Sequence, residues 1–388
     1  MKVCDLALFS ESTSSGVRTY IESKIDYVRH RPYLDHVVIV PGAKASIRMH
    51  GRSKVIVVRG VRSPYPGVRL GLNLFEVAAL IKGERPDVIE VNCQYTLAWA
   101  AFLATRRRRT PVIGIYHTDV PACLRHWVRR TGSLVASAVE RLAEFYEGLI
   151  YRRCTVTVLL NAAMANRVAR MGVHRTRLLP CGVDPDTFHP NRRSAAFRDD
   201  LGIGPNQTIL FYAGRLSPEK ELDVLFAAFE RLPGGGQYVL VLAGDGPQAA
   251  SVARYADMHP WVRYLGHLSS RDELATAYAS ADLFVAPGRY ETFGMSTAEA
   301  LCSGLPIVGI EDSGTAALIT PQTGIATRAG DAASMADAIS AVASWRPDTT
   351  RDACHRFASA QFAWDRVFDR YVAMYHELLA PAAAERSA

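Results

Sequence analysis

The sequence predicts an α/β protein made of two doubly wound, Rossmann-like parallel-sheet domains in series. The chain has 388 residues, too many for one ordinary domain of roughly 100–200 residues and suited to two. Short β-branched runs alternate with amphipathic stretches along its length, which is the βαβ signature of a parallel sheet covered on both faces. That alternation restarts after a cluster of Gly, Asp and Pro in Cys181–Asn191, where a domain boundary is expected.

In the first half, Val3–Phe9, His36–Val40, Val55–Val58, Val88–Val91, Val112–Tyr116 and Thr155–Leu159 read as buried strands. Arg18–Tyr27, Leu70–Lys82 and Ser133–Tyr151 read as helices between them. The second half repeats the scheme with strands at Ile209–Tyr212, Tyr238–Ala243, Val262–Leu265, Leu283–Ala286 and Pro306–Ile310. Its helices are Glu221–Arg231, Arg271–Ala279 and Ser296–Cys302. The expected domains are therefore 1–183 and 184–363, followed by a helix and tail over 364–388. In that last segment Trp364, Phe368, Tyr371 and Tyr375 recur at helical spacing and form one apolar stripe. The final PAAAERSA reads as a frayed end. Asp184-Pro-Asp186 is spelled like a metal-binding DxD, but its linker position makes it turn chemistry.

Hydrophobic residues make up 49% of the chain and charged residues 21%, a globular composition that excludes general disorder. The longest apolar stretch, near Tyr95–Thr105, falls short of the roughly 18–20 residues that span a bilayer. Asp5 interrupts the apolar start, so no signal peptide is expected. Seven scattered cysteines without a CxxC pair point to a reducing, cytoplasmic setting. The net charge of +7 is unevenly spread. Residues 1–185 hold 28 Lys and Arg against 14 Asp and Glu, a balance of +14, and the remainder holds 17 against 24, or −7. A basic first half suits a phosphorylated substrate or an anionic lipid surface. Nucleic acid is not expected, because zinc-finger spacing, RNP aromatics and a basic region with heptads are all missing.

The most specific pattern is APGRYETFGMSTAEALCSGLPIVG. It places Glu291 after a strand and Glu299 eight positions later, inside the next helix, with Thr292–Ser296 as the turn between them. A helix N-terminus offers unpaired amides and the positive end of a dipole, suited to phosphate or sugar oxygens. Glu291 can accept from sugar hydroxyls, and Glu299 from both hydroxyls of a ribose. The plainer reading of two such glutamates is a solvated face. A second motif, AGRLSPEKELDVLFAAF, puts Arg215 and Lys220 between a strand and a helix. A planar fork and a point charge match a diphosphate, against the plainer reading of two surface cations.

Together GRLSPEK, LAGDGP (Leu242–Pro247) and the Glu-x7-Glu block with LCSGLPIVG resemble glycosyltransferase family 4, and the resemblance spans the chain. It implies the GT-B fold, an α/β architecture of two Rossmann-like domains with parallel sheets facing across a cleft. PCGVDPDTFHP is similar to that family's interdomain linker, and the terminal aromatic helix to the one that crosses back onto the first domain. It further implies that Glu291 holds donor-sugar hydroxyls and Glu299 the ribose. Arg215 and Lys220 would stabilise the leaving nucleoside diphosphate, assisted by backbone amides of Phe293, Gly294 and Met295. FSESTSSGVRTY is similar to the family's glycine loop, with Gly16 approaching the β-phosphate and Ser15 where a second glycine is often found. In IGIYHTDVP, His117 and Asp119 are expected on one side of a strand end. The resemblance places His117 beside the transferred sugar, whereas a lone His otherwise reads as a satisfied core residue. No metal or other cofactor is expected, since His117 and Asp119 lack further ligands and the family needs none.

The implied reaction is retaining, front-face transfer in which the leaving phosphate takes the acceptor proton and the protein supplies electrostatic stabilisation. GDP-mannose is the preferred donor, with a UDP-sugar as the alternative. A nucleotide-sugar epimerase of the same fold and a relative that binds without turnover are the rivals. The acceptor side falls in the basic half, where Arg106, Arg107, Arg108 and Arg109 form a run and Arg125, Arg129 and Arg130 flank Trp127. That set reads either as a solvated arginine-rich surface or as a contact with the cytoplasmic face of a membrane. HTDVPACLRHW also resembles lipid-directed members, which tilts the acceptor toward a lipid, a lipid-linked sugar or a glycan.

Overall fold

The computed structural model describes residues 1–8, 16–63, 69–234 and 236–380, without the side chain of Arg130. The chain divides into two compact units. One comprises Met1–Pro121, Ser137–Cys181 and the segment beginning at Trp364; the other comprises Ala122–Ala136 and Gly182–Ala363.

The first unit is built on β1 (Lys2–Leu6), α1 (Gly16–Arg29), β2 (Asp35–Gly42), β3 (Ser46–His50) and β4 (Ser53–Arg59). A short hairpin, β5 (Val61–Arg62) and β6 (Arg69–Leu70), leads to α2 (Leu74–Glu84), β7 (Val88–Val91), α3 (Thr96–Thr105) and β8 (Val112–Tyr116). Then come α4 (Val120–Trp127), α5 (Ser133–Tyr151), β9 (Val156–Leu159), α6 (Ala165–Arg170) and β10 (Thr176–Leu178). The sheet runs β10-β9-β8-β7-β1-β2-β4-β3, parallel except for the antiparallel edge pair β3–β4. Its central strands are Val- and Ile-rich and buried throughout, as a sheet covered on both faces requires.

The second unit contains α7 (Ala195–Asp200), β11 (Thr208–Ala213), α8 (Leu222–Phe229), β12 (Tyr238–Ala243) and α9 (Ala249–Met258). It continues with β13 (Val262–Tyr264), α10 (Arg271–Ser280), β14 (Leu283–Val285), α11 (Met295–Cys302), β15 (Ile307–Ile310) and β16 (Gly324–Thr327). Two helices, α12 (Ala332–Ala343) and α13 (Pro347–Phe362), close this unit, and α14 (Trp364–Leu379) returns to the first. The sheet, β13-β12-β11-β14-β15-β16, is wholly parallel.

Several boundaries differ from the sequence expectation for local reasons. β1 stops at Leu6, and Phe9 lies outside the described residues. The helix expected from Leu70 begins at Leu74, because the Asn73 side chain accepts from the Glu76 amide and caps it. The helix expected from Glu221 begins at Leu222, because Glu221 takes a left-handed conformation with φ 52°. The aromatic stripe of α14 does pack: Trp364, Phe368, Tyr371 and Tyr375 are buried, and Tyr20 of α1 meets Phe368 edge-on at 5.4 Å. The Asp184 carboxylate accepts from the amides of Asp186 and Thr187 at 3.1 and 3.2 Å, an Asx-type turn.

Candidate active site

Each sheet has one switch point, where the chain leaves one edge and resumes on the other side of its first strand. In the second sheet it lies between β11 and β14, and ligands of open α/β sheets bind beyond the strand ends at such a point. The loop after β11 supplies Gly214, Arg215 and Lys220; the loop after β14 supplies Pro287, Gly288 and Glu291. A hollow there is lined by Tyr212, Gly214, Lys220, Gly288, Glu291 and Ser296.

Lys220 ends a 3-10 turn, Pro218–Lys220, and its Nζ donates to Glu291 Oε1. Burial works against the ammonium, but the Glu291 charge outweighs it, so Lys220 is held above its ordinary range. The two loops are joined a second time. Glu221 accepts from the Arg289 backbone amide at 3.1 Å and from its Nε at 2.8 Å. Glu221, one residue after Lys220, thus combines a strained left-handed backbone with a buried carboxylate that ties the two loops together. Tyr212 Oη donates to the Arg215 carbonyl at 3.0 Å and stiffens the start of the same loop.

The turn into α11 depends on two glycines. Gly294 caps the helix at φ 85° with no side-chain cap, so the first-turn amides receive no side-chain acceptor from that residue. A Cβ on Gly314 would lie 2.4 Å from the Thr292 carbonyl carbon. Gly314 instead donates its amide to the Glu291 carbonyl at 2.7 Å. Phe293 is buried against Phe362 at 5.6 Å between ring centres. Met295 opens α11, and Glu299 follows one turn later with Tyr278 Oη donating to it at 3.3 Å. Burial pushes Glu299 up to about 7, with Arg271 and Tyr278 acting the other way.

The switch point of the first sheet lies between β1 and β7. Gly16 opens α1 beside it, and Ser15 lies outside the described residues. Asn92 follows β7 and was not singled out by sequence reasoning. Its Nδ2 donates to Asp5 Oδ1 at 2.7 Å, and its Oδ1 lies 2.8 Å from His117 Nε2. Asp5 is also paired with Lys24 at 2.8 Å and His36 Nε2 at 2.7 Å. Burial opposes its charge, but Lys24 and His36 more than offset that, so Asp5 stays ionised. A carboxylate can only accept, so the Asn92 amide orientation is fixed, and Oδ1 must in turn receive a proton from His117 Nε2. Burial pushes His117 down to about 4, so the ring is neutral, with its lone pair on Nδ1. His117 and Asp119, expected on one side of the strand end, are held by different partners: Asp119 pairs with Arg167 at 2.8 Å.

The arginine residues divide. Arg106–Arg109 are exposed beyond α3, and Arg125 and Arg129 are exposed as well, while the Arg130 side chain lies outside the description. Arg129 contacts the His126 ring, and the half-exposed Trp127 donates its indole N–H to Glu219 at 3.2 Å. Among the described residues no group of three or more His, Cys, Asp or Glu is placed to hold a metal ion.

Two doubly wound units with a cation and a helix N-terminus at a switch point are the arrangement of GT-B glycosyltransferases. Residues 194–360 match the family described as glycosyl transferases group 1, and residues 15–182 match the glycosyl transferase 4-like domain. Among curated relatives, the GDP-mannose-dependent α-(1-6)-phosphatidylinositol dimannoside mannosyltransferase of Mycobacterium tuberculosis is 31% identical, over 94% of this chain and 93% of that protein. A GDP-mannose-dependent α-mannosyltransferase of Corynebacterium glutamicum is 29% identical, over 94% and 85%. Sucrose-phosphate synthase from Thermosynechococcus elongatus shares the fold with a TM-score of 0.78 at 19% identity, over 98% of this chain and 99% of that one. Anabaena HepE in complex with UDP superposes with a TM-score of 0.72 at 18% identity, over 97% and 100%. This chain belongs to the group 1 glycosyl transferases, with a glycosyl transferase 4-like N-terminal half, and is a glycosyltransferase of the GT-B type.

Proposed function

We propose that this chain is a retaining mannosyltransferase that takes mannose from GDP-mannose and passes it to a lipid, lipid-linked or glycan acceptor. The observation that carries this reading is the Lys220–Glu291 pair at the switch point of the second sheet, beside the N-terminus of α11. A diphosphate entering there meets a held ammonium, the Arg215 guanidinium and the first amides of α11. Glu291, occupied by Lys220 through Oε1, has Oε2 for a sugar hydroxyl. Glu299, pushed up to about 7 by burial, is present in both protonated and ionised forms near neutral pH and can accept from ribose hydroxyls in either. Gly16 and His117 remain the residues of the first unit assigned to the donor phosphate and the transferred sugar. The neutral His117 ring is assigned a contact with a sugar hydroxyl. The relatives at 29% and 31% identity named for GDP-mannose support the choice of donor.

In the reaction, the acceptor oxygen attacks the anomeric carbon on the face that the diphosphate leaves. The bond from that carbon to the phosphate oxygen breaks, and the leaving phosphate takes the acceptor proton. Lys220, Arg215 and the α11 amides stabilise the negative charge as it develops, and the reading requires no metal.

The test is a thermal-shift titration with GDP, UDP and ADP, followed by transfer from GDP-mannose with the anomeric configuration of the product read by NMR. A GDP-selective rise that Lys220→Ala abolishes, with α-configured product, supports the reading. A UDP-selective rise overturns the donor, a β-product overturns retention, and conversion of the sugar without acceptor makes the chain an epimerase.

A further inference from the structure

Helix α5 carries an apolar face exposed to solvent. Leu142 is 70% exposed and Phe145 60%, with Tyr146 at 37%. Ala138 is exposed and Leu149 half-buried on the same side. Spacings of four, three and four from Ala138 through Leu142 and Phe145 to Leu149 align these residues along one edge of the helix. The other side is committed to the protein. It buries Glu147, Ile150 and Tyr151, and it sends Glu140 and Glu144 to Arg167 of α6 at 3.0 and 2.8 Å. Leu134 and Val135, in the first turn of α5, are exposed as well.

The charges beside this face are all of one sign. Arg141 is exposed next to Leu142 and takes part in no ion pair among the described residues. Arg152 and Arg153, both exposed, fold back along the last turn, donating to the carbonyls of Gly148 and Leu149. The carboxylates of the helix point elsewhere, two to Arg167 and one into the interior. Arg106–Arg109, by contrast, have no bulky exposed apolar neighbour in sequence.

We propose that this face of α5 docks on an anionic lipid surface, with Leu142, Phe145 and Tyr146 entering the interface and Arg141, Arg152 and Arg153 at the headgroup phosphates. The inference rests on the proposed reading in which the acceptor is lipid or lipid-linked, and it names the surface that brings the enzyme to it. The charge pattern selects the occupant. A second copy docked through the same face would set arginines against arginines with no carboxylate to answer them, whereas lipid phosphates answer each one.

The experiment measures co-sedimentation of the full chain with vesicles of phosphatidylcholine mixed with phosphatidylglycerol, and with phosphatidylcholine alone. The expected result is binding to the mixed vesicles only. Leu142→Asp/Phe145→Asp should lower it by at least about tenfold, and Arg141→Ala by about fivefold. Melting curves and the GDP response should stay at wild-type values, because these side chains are on the surface. Vesicle binding needs no donor, so its loss and the loss of a nucleotide response are separate readouts. Wild-type binding that survives the double substitution overturns the proposal, as does no wild-type binding. A wild-type dimer that the double variant converts to monomer also overturns it, in favour of a second copy.

Discussion

Asn92 Oδ1 accepts a hydrogen bond from His117 Nε2 at 2.8 Å, and that contact decides which ring nitrogen carries the proton. The instruction comes from further inside: ionised Asp5 takes the amide NH2 of Asn92, so only the carbonyl end can face the imidazole. Asn92 is therefore a positioning residue for a side chain that the proposed reaction places against the donor sugar.

Replacing Asn92 by Leu removes the acceptor without adding charge. Long-range proton–nitrogen NMR correlations of the histidine rings should show His117 as the Nε2–H tautomer in the wild type and as a mixture in the variant. Transfer should fall by about tenfold to a hundredfold, with the larger effect on kcat. A His117 ring that keeps one tautomer without Asn92 sinks the assignment.

Gly314 tests the turn that holds Glu291. Gly314→Ala forces a methyl toward the Thr292 carbonyl carbon and strains the hydrogen bond to the Glu291 carbonyl. The expected outcome is a destabilisation of about 1–3 kcal/mol together with weakened nucleotide binding, measured by denaturant unfolding and by titration. Unchanged binding would mean that the turn does not set the Glu291 position.

Lys24 is buried between Asp5 and Glu90, with Nζ 2.8 Å from each carboxylate. Tyr20 and Tyr375 also donate to Glu90. Lys24→Met leaves two buried carboxylates facing each other and should cost about 3–5 kcal/mol in urea unfolding. Adding Asp5→Asn and Glu90→Gln should recover much of it; no recovery would show that packing, rather than charge, accounts for the loss.

Glu147 gives a pH signature. Burial pushes its carboxyl from an ordinary 4.5 to about 8, with Asp119 adding to the rise. A raised folded-state value means that its contribution to stability is whole below pH 4.5 and is lost as pH climbs through 8. In Glu147→Gln that loss disappears, so the variant should gain on the wild type steadily from about pH 5 to pH 8 in paired thermal melts. A pH-independent difference between the two curves would place the ionised carboxylate in the native state throughout.

Much of the candidate site was legible because it lies in local motifs. Lys220, Glu291 and Glu299 stand in GRLSPEK and the Glu-x7-Glu block, where strand, turn and helix follow one another without a break. Asn92 and Glu221 carried no such signal. Asn92 matters through partners 87 and 25 positions away, and Glu221 through Arg289, 68 positions on. The helices missed by periodicity had a related cause. The α3 run Thr96–Thr105 is apolar on nearly every side because it is buried on nearly every side, so no stripe marks it. The edge strand β3 escaped for the opposite reason, being short, antiparallel and mostly exposed.

By itself the sequence determined the two parallel-sheet domains and the transferase class, and it pointed to the groups proposed to meet a diphosphate. Period, β-branching and turn residues are local properties, and they survive translation into a string of letters. Tertiary structure alone decided which groups face each other: the Lys220–Glu291 pair, the chain from Asp5 through Asn92 to His117, and the apolar face of α5 left open beside its arginines. Those relationships depend on strand order and on which helix side is already covered, and neither is written in the spacing of residues along the chain.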